Sequence, residues 1–398
     1  MVQLFGAPRR YLQGPGILRA IGSELIRLGD NAVILIDPGL SESVGAIIRD
    51  SCHDAGVAVR LFPFGGECSV SEIDRLVERC AGSAPRIVAA AGGGKCLDSG
   101  KALAHRFGAH VVTIPTAAST DAPTSHNYVL YDSEHRLASV EKLPANPDLV
   151  LVDTAIIARA PIHLFIAGMG DAIVKPFEVE RCMAAGGKTI FGAGSCETAR
   201  ILAHGCYQTI LRDGDAALVA IRRGEPDAAL ERVVEATVLM SGLSFESGGL
   251  SIAHSMTRGL SAIPAYAHAL HGRQVAYALL VQLLLEGDSV TLEELRAVYR
   301  RFGLPLRLAD LSEAAVDHVP TTDELRLVAE LSLAAPHASH FPRRIAVAEM
   351  VEAITALERL GGDAILPGGA VTEDRAQMGS SFADSGRRRQ AGAASLHS

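Results

Sequence analysis

Four short runs of the chain are apolar at almost every position: Ala32-Val33-Ile34-Leu35-Ile36, Ile87 to Ala91, Val111-Val112-Thr113-Ile114 and Leu149-Val150-Leu151-Val152. A strand that is apolar on both faces must be covered on both, as in a parallel sheet flanked by helices. Val57 to Phe62 adds another strand, and amphipathic stretches near 41–55 and 70–80 lie between, so the first part reads β-α-β-α. Beyond Asp153 the apolar spacing becomes helical over 163–181, 196–213, 226–244, 272–286, 292–301, 322–334 and 346–359. The expected architecture is an α/β N-terminal domain over 1–160 and an all-α C-terminal domain over 161–366, with Ala160-Pro161 breaking the pattern between them. From Pro367 onward Gly, Ala, Ser and Arg dominate without apolar periodicity, so 367–398 is expected to be a flexible tail.

Charge and cysteine usage narrow the function classes. The chain has 37 basic and 45 acidic residues, a net charge of −8, and only one short basic run, Arg387-Arg388-Arg389. A nucleic acid is therefore not an expected partner. The strongest apolar run, Val275 to Leu285, is too short to span a bilayer, and the first residues lack the pattern of an export signal, so no membrane association is expected. Seven cysteines without a Cys-x-x-Cys pair fit reduced thiols in a cytoplasmic protein better than a disulfide framework.

Two regions carry chemistry. Gly92-Gly93-Gly94 stands where a buried strand gives way to a helix, and glycine there lets backbone N–H groups approach a diphosphate. A tight turn alone would also use three glycines. Of the five lysines in the chain, Lys95 and Lys101 flank this turn and its helix, with Asp98 between them. Asp37 ends the first strong strand, where a carboxylate can accept hydrogen bonds from a ribose diol or simply start the turn Asp37-Pro38-Gly39. The loop from Pro115 to Ser125 follows another buried strand and carries several hydroxyls and one carboxylate, at the sheet end where ligands bind. Farther on, Asp171, His254 and His271 make a plausible three-ligand zinc set. The two histidines are too far apart in sequence for one helix turn, and spacing alone does not choose between His271 and His268.

Six ordered segments together resemble the glycerol dehydrogenases of the iron-containing alcohol dehydrogenase superfamily, from about Tyr11 to Leu360. They are Gly92 to Lys95 with Asp98 and Lys101, Pro115 to Ser125, Asn146 to Thr154, Gly168 to Asp171, Phe245 to Leu250 and His271 to Ala276. The resemblance implies a Rossmann-like NAD-binding domain, an all-α C-terminal domain (the dehydroquinate synthase-like fold) and a metal between them. Asp171, His254 and His271 match the family's zinc ligands, which selects His271 over His268. Gly92, Gly93, Gly94 and Lys95 match the diphosphate turn, with Asp98 in the same motif. Asp37, Thr116, Ser119, Ser125, Asn127 and Tyr131 fall at positions that contact NAD, and Asp121 matches a carboxylate beside the bound polyol. The family also often forms homo-oligomers.

The implied activity is NAD- and zinc-dependent oxidation of a secondary alcohol in a small polyol, with glycerol to dihydroxyacetone as the leading case. Alternatives are a dehydrogenase acting on a hydroxy acid, a glycerol phosphate or a specialised metabolite, and a sugar-phosphate cyclase of the dehydroquinate synthase type. His126 and Asn127 replace smaller or apolar residues of the family pattern. Lys175 stands where iron-dependent relatives place a third histidine; a protonated lysine cannot ligate, so zinc is expected rather than iron.

Overall fold

The apolar runs become the centre of a sheet. In the computed structural model the strands are β1 (Tyr11–Gly14), β2 (Asn31–Ile36), β3 (Ala58–Pro63), β4 (Ile87–Gly92), β5 (His110–Pro115), β6 (Asn127–Tyr131), β7 (Leu137–Lys142) and β8 (Leu149–Asp153). Six of them pair in the order β1-β8-β5-β4-β2-β3, every pair parallel. Successive side chains of β2 go to opposite faces. Ala32, Ile34 and Ile36 join Leu18, Val44 and Ile48, whereas Val33 and Leu35 join Leu76, Leu97 and Leu103. Strands β6 and β7 form a separate antiparallel hairpin that apolar patterning did not reveal. Most of β7 is exposed, so it has no buried face to produce such a pattern.

The structure describes residues 1–361 except 81, 83, 133, 135, 136 and 313–317, and the expected tail at 367–398 lies outside the described residues. Met1–Glu358 pack as one compact unit. Within this unit the change at Asp153 is one of secondary structure: the last of the strands named above ends there, and only helices follow among the named elements.

Proline and an extra helical residue account for the main differences from the expected helices. The stretch 163–181 is two helices, Ile162–Ile173 and Lys175–Ala184, because Pro176 in the first turn of the second lacks an N–H for the preceding turn. The stretch 226–244 runs as Ala228–Glu235, a π-helical turn Ala236–Met240, and Ser241–Gly248. The helix Ile252–Leu260, which carries His254, was not expected. With Glu197–Arg223, His271–Glu286 and Ser289–Phe302, these helices enclose a core that includes Phe165, Met169, Ile210, Leu279 and Tyr299. Among the described residues no helix is long and apolar enough to cross a membrane. All seven cysteines are free and buried.

Strand order locates the ligand crevice. β2 has β3 on one side and β4 on the other, so the sheet changes its direction of growth between β2 and β4, where open α/β sheets bind ligands beyond the strands' carboxyl ends. One buried cation secures the adjacent helix. Lys101, fully buried on Gly94–Phe107, donates from Nζ to Asp98 Oδ1 at 3.0 Å, Ala122 O at 2.7 Å and Asn127 O at 2.8 Å. It thereby ties the glycine turn's helix to the loop after β5 and to the start of β6. Lys101→Met would leave the Asp98 carboxylate buried without its cation. A loss of about 3–5 kcal/mol in denaturant unfolding is expected.

Candidate active site

The register of the sheet brings the first group of residues into one row. Ile36 pairs with Ala91 and Gly92 with Pro115, so Asp37, Gly92 and Thr116 follow one another across the carboxyl edge. Backbone bonds continue the row, from Asp37 N–H to Ala91 O at 3.0 Å and from Thr116 N–H to Gly92 O at 3.1 Å. No side chain caps the helix Gly94–Phe107, and a Cβ on Gly93 would meet nothing within 4 Å. Free N–H groups at a helix N-terminus facing open space suit a phosphate. At Gly92, by contrast, a Cβ would lie 2.7 Å from Cys96 Cβ, so only glycine fits there.

The other expected cofactor residues divide. Asp37 accepts from Gly39 N–H at 3.0 Å through Oδ1. Exposed Lys95 pairs with Glu67 at 2.7 Å and lies 4.7 Å from the Tyr131 ring centre. Ser119 is half-buried in the loop after β5. Ser125 donates to Glu246 Oε1 at 2.8 Å, while the buried Oδ1 of Asn127 has no partner. Asp98 does not join this group. Its Oδ1 holds Lys101 and its Oδ2 accepts from Val129 N–H at 3.0 Å, because a buried carboxylate needs its oxygens satisfied.

The second group gathers where helices cross closely. A Cβ on Gly272 would fall 1.9 Å from Ala167 O and 3.1 Å from Asp171 Cβ, so glycine allows the His271–Glu286 helix to approach Ile162–Ile173. One donor atom each from Asp171, His254 and His271 then lies within 4.8 Å of the others. His268 is exposed and outside this trio. Asp171 is buried and its Oδ2 has no hydrogen-bond partner. An orphaned carboxylate oxygen beside two imidazoles is the donor set a divalent ion would satisfy, so the residues fit a metal.

Lys175 enters the same pit. Its fully buried Nζ is 2.8 Å from Asp171 Oδ1, 2.8 Å from Asp121 Oδ2 and 3.4 Å from His254 Nε2. Asp121 Oδ2 also accepts from Ser241 Oγ at 3.1 Å. Burial would raise the Asp171 carboxyl, but Lys175 and the two histidines outweigh it and hold it well below the usual carboxylate range. Burial followed by the nearby Asp171 charge pushes Asp121 upward.

The two histidines titrate in opposite directions. Burial would lower His254, yet Glu178 lifts it to about 9. Loss of hydration among its neighbours pushes His271 down to about 4, although the residue itself is exposed, unlike buried Asp171 and half-buried His254. Glu178 accepts from Ser251 N–H at 2.8 Å and His254 N–H at 2.9 Å through Oε1, and its Oε2 bonds His254 Nδ1. That contact fixes the imidazole with Nε2 toward Asp171.

The chain has counterparts among known proteins. A family model described as iron-containing alcohol dehydrogenase matches residues 8–154. A glycerol dehydrogenase of Escherichia coli O6:H1 (strain CFT073) is 39% identical over 341 residues, covering 85% of this chain and 92% of that one. The chain belongs to the iron-containing alcohol dehydrogenase family. A second relative, a glycerol dehydrogenase of Thermotoga maritima, is 36% identical and covers 89% of this chain and 96% of its own. The crystal structure of glycerol dehydrogenase from Schizosaccharomyces pombe superposes with a TM-score of 0.85 at 31% identity, covering 90% of this chain and 91% of that one. The protein is thus an oxidoreductase of the iron-containing alcohol dehydrogenase family, with the family's parallel sheet and helical C-terminal region.

Sequence reasoning missed three supporting residues of this family member: Glu178, Ser241 and Glu246. Each stands in a helix whose pattern gives no sign that a polar side chain points inward. Only the Phe245 to Leu250 segment of the resemblance touched Glu246, and it carried no role for it. Fully buried Glu246 accepts from Ser125 Oγ and His126 N–H, both at 2.8 Å, contacts His126 Nδ1 at 2.6 Å and holds Asn146. The His126 ring in turn stacks on Phe191 at 4.5 Å.

The raised His254 value predicts proton-linked metal binding. Without metal, protonated His254 stabilises the fold fully below its ordinary value of 6.5, and that contribution is lost as pH rises through about 9. A metal ligand must be neutral, so zinc binding at pH 7.5 should release about one proton. Calorimetry in buffers of different ionisation enthalpy should detect it, with affinity rising about tenfold per pH unit until His254 has titrated.

Proposed function

We propose that the protein is an NAD- and zinc-dependent dehydrogenase that oxidises the secondary alcohol of a small polyol, with glycerol to dihydroxyacetone as the leading reaction. The observation that carries this reading is the Asp171, His254 and His271 trio, with its unpartnered Asp171 oxygen, set beside Asp121. Resemblance to glycerol dehydrogenases over most of the chain supports the substrate class. In this reading residues 1–160 hold the dinucleotide and 161–366 supply the metal ligands.

The chain's own residues divide the work. Gly93, Gly94 and Lys95 receive the diphosphate, and Asp37 receives a ribose hydroxyl on the oxygen that Gly39 leaves free. Asp171, His254 and His271 would hold a divalent ion whose Lewis acidity eases loss of the hydroxyl proton. The dinucleotide supplies the hydride acceptor. Asp121, with Oδ2 held by Lys175 and Ser241, orients a second substrate hydroxyl through its other oxygen. Glu178 keeps the His254 ring from turning, which preserves the direction of Nε2. Lys175 is committed to two carboxylates and offers no free charge to a phosphate, which favours a neutral polyol over a glycerol phosphate.

The test is NADH formation by the zinc-loaded protein with glycerol, 1,2-propanediol, 2-hydroxy acids and glycerol phosphates. Glycerol and 1,2-propanediol should be turned over. His271→Ala should cut turnover by about two orders of magnitude or more and release the metal, with unchanged circular dichroism. Asp121→Asn should raise KM for diols by about tenfold or more. An active, metal-free His271→Ala protein would refute the assignment.

A further inference from the structure

We propose that Lys175 is a resident counter-cation of the metal pit, sharing Asp171 with the divalent ion and weakening the protein's hold on it. The proposal rests on the metal reading given above and concerns how this chain's own lysine modifies that site. Lys175 opens the helix Lys175–Ala184, and Pro176 follows it, so its backbone is confined. The side chain is fully buried and runs past the Phe245 ring, whose centre is 5.4 Å from Nζ.

The ammonium contacts two of the three prospective ligand residues, at 2.8 Å from Asp171 Oδ1 and 3.4 Å from His254 Nε2, and its third neighbour is Asp121. Asp171 is therefore divided. Oδ1 is engaged by the internal cation, and Oδ2 is buried without a partner. In the metal-free protein, Lys175 places one positive charge between two buried carboxylates, Asp121 and Asp171, and so offsets their mutual repulsion. When an ion arrives, the ammonium is too enclosed to withdraw into solvent, so two positive groups share one carboxylate. Like charges a few ångström apart in a poorly hydrated site repel strongly. A neutral side chain at this position would remove that repulsion and also remove the support of the empty site.

The experiment measures zinc affinity of the full-length protein by competition with a chromophoric chelator, independently of turnover. Lys175→Met should bind zinc at least about tenfold more tightly than the parent, and its metal-free form should melt at a lower temperature that zinc restores. Should metal-free Lys175→Met fail to fold, Lys175→Gln carries the same affinity expectation, because an amide can still donate to Asp171 and Asp121 without a charge. Unchanged or weaker zinc affinity in the neutral variants overturns the proposal while leaving the metal site standing. Zinc held equally well by the parent and by His271→Ala overturns the metal reading itself, and the proposal falls with it.

Discussion

The Glu246 carboxylate holds the surroundings of the candidate site in register. It is fully buried on the helix Ser241–Gly248, yet its partners, Ser125, His126 and Asn146, belong to the loops after β5 and before β8. A buried carboxylate is tolerable only when its oxygens are hydrogen-bonded, so folding must bring those loops to that helix. Once they meet, Thr124 Oγ1 reaches Val238 O at 3.2 Å and Ser241 reaches Asp121. Asp121, the carboxylate proposed to orient the substrate, thus takes its place from a residue on a different element.

Glu178 performs a parallel task for the metal trio, orienting His254 from a neighbouring helix. The pit therefore contains more buried charge than its three prospective ligands alone would suggest: Asp121, Asp171, Glu178, Lys175 and a histidine held toward protonation. Such a cluster is stable only with interlocking partners, and nearly every polar atom in it has one. Asp171 Oδ2, fully buried and without a partner, is the atom most open to an additional cation.

Much of this could be read from the sequence because buried strands and amphipathic helices leave periodic traces. The runs at Ala32 to Ile36, Ile87 to Ala91 and Leu149 to Val152 became β2, β4 and β8, and the helical spacing at 272–286 became His271–Glu286. The exposed hairpin β6 and β7 left no trace of that kind, and neither did the short edge strand β1, half-buried throughout. Within the site, Asp171, His254 and His271 were legible as a donor set, although only family resemblance separated His271 from His268. Glu178 and Glu246 were not legible, because an acidic residue in a helix ordinarily faces water and the pairing that buries these two spans distant parts of the chain. Asp98 illustrates the reverse case, since the resemblance groups it with the diphosphate turn whereas its carboxylate is held by Lys101, one turn on in the same helix.

The π-helical turn at Ala236–Met240 has a consequence for how this region tolerates change. It inserts one residue's worth of rotation between Ala228–Glu235 and Ser241–Gly248, and each helical residue turns the following chain by about 100°. Ser241 and Glu246, on different sides of their helix, are therefore both offset by that rotation from the preceding helix. Lineages that lose or gain a codon there would swing both side chains to another azimuth at once, so length in this segment is under a constraint that no single amino-acid identity expresses.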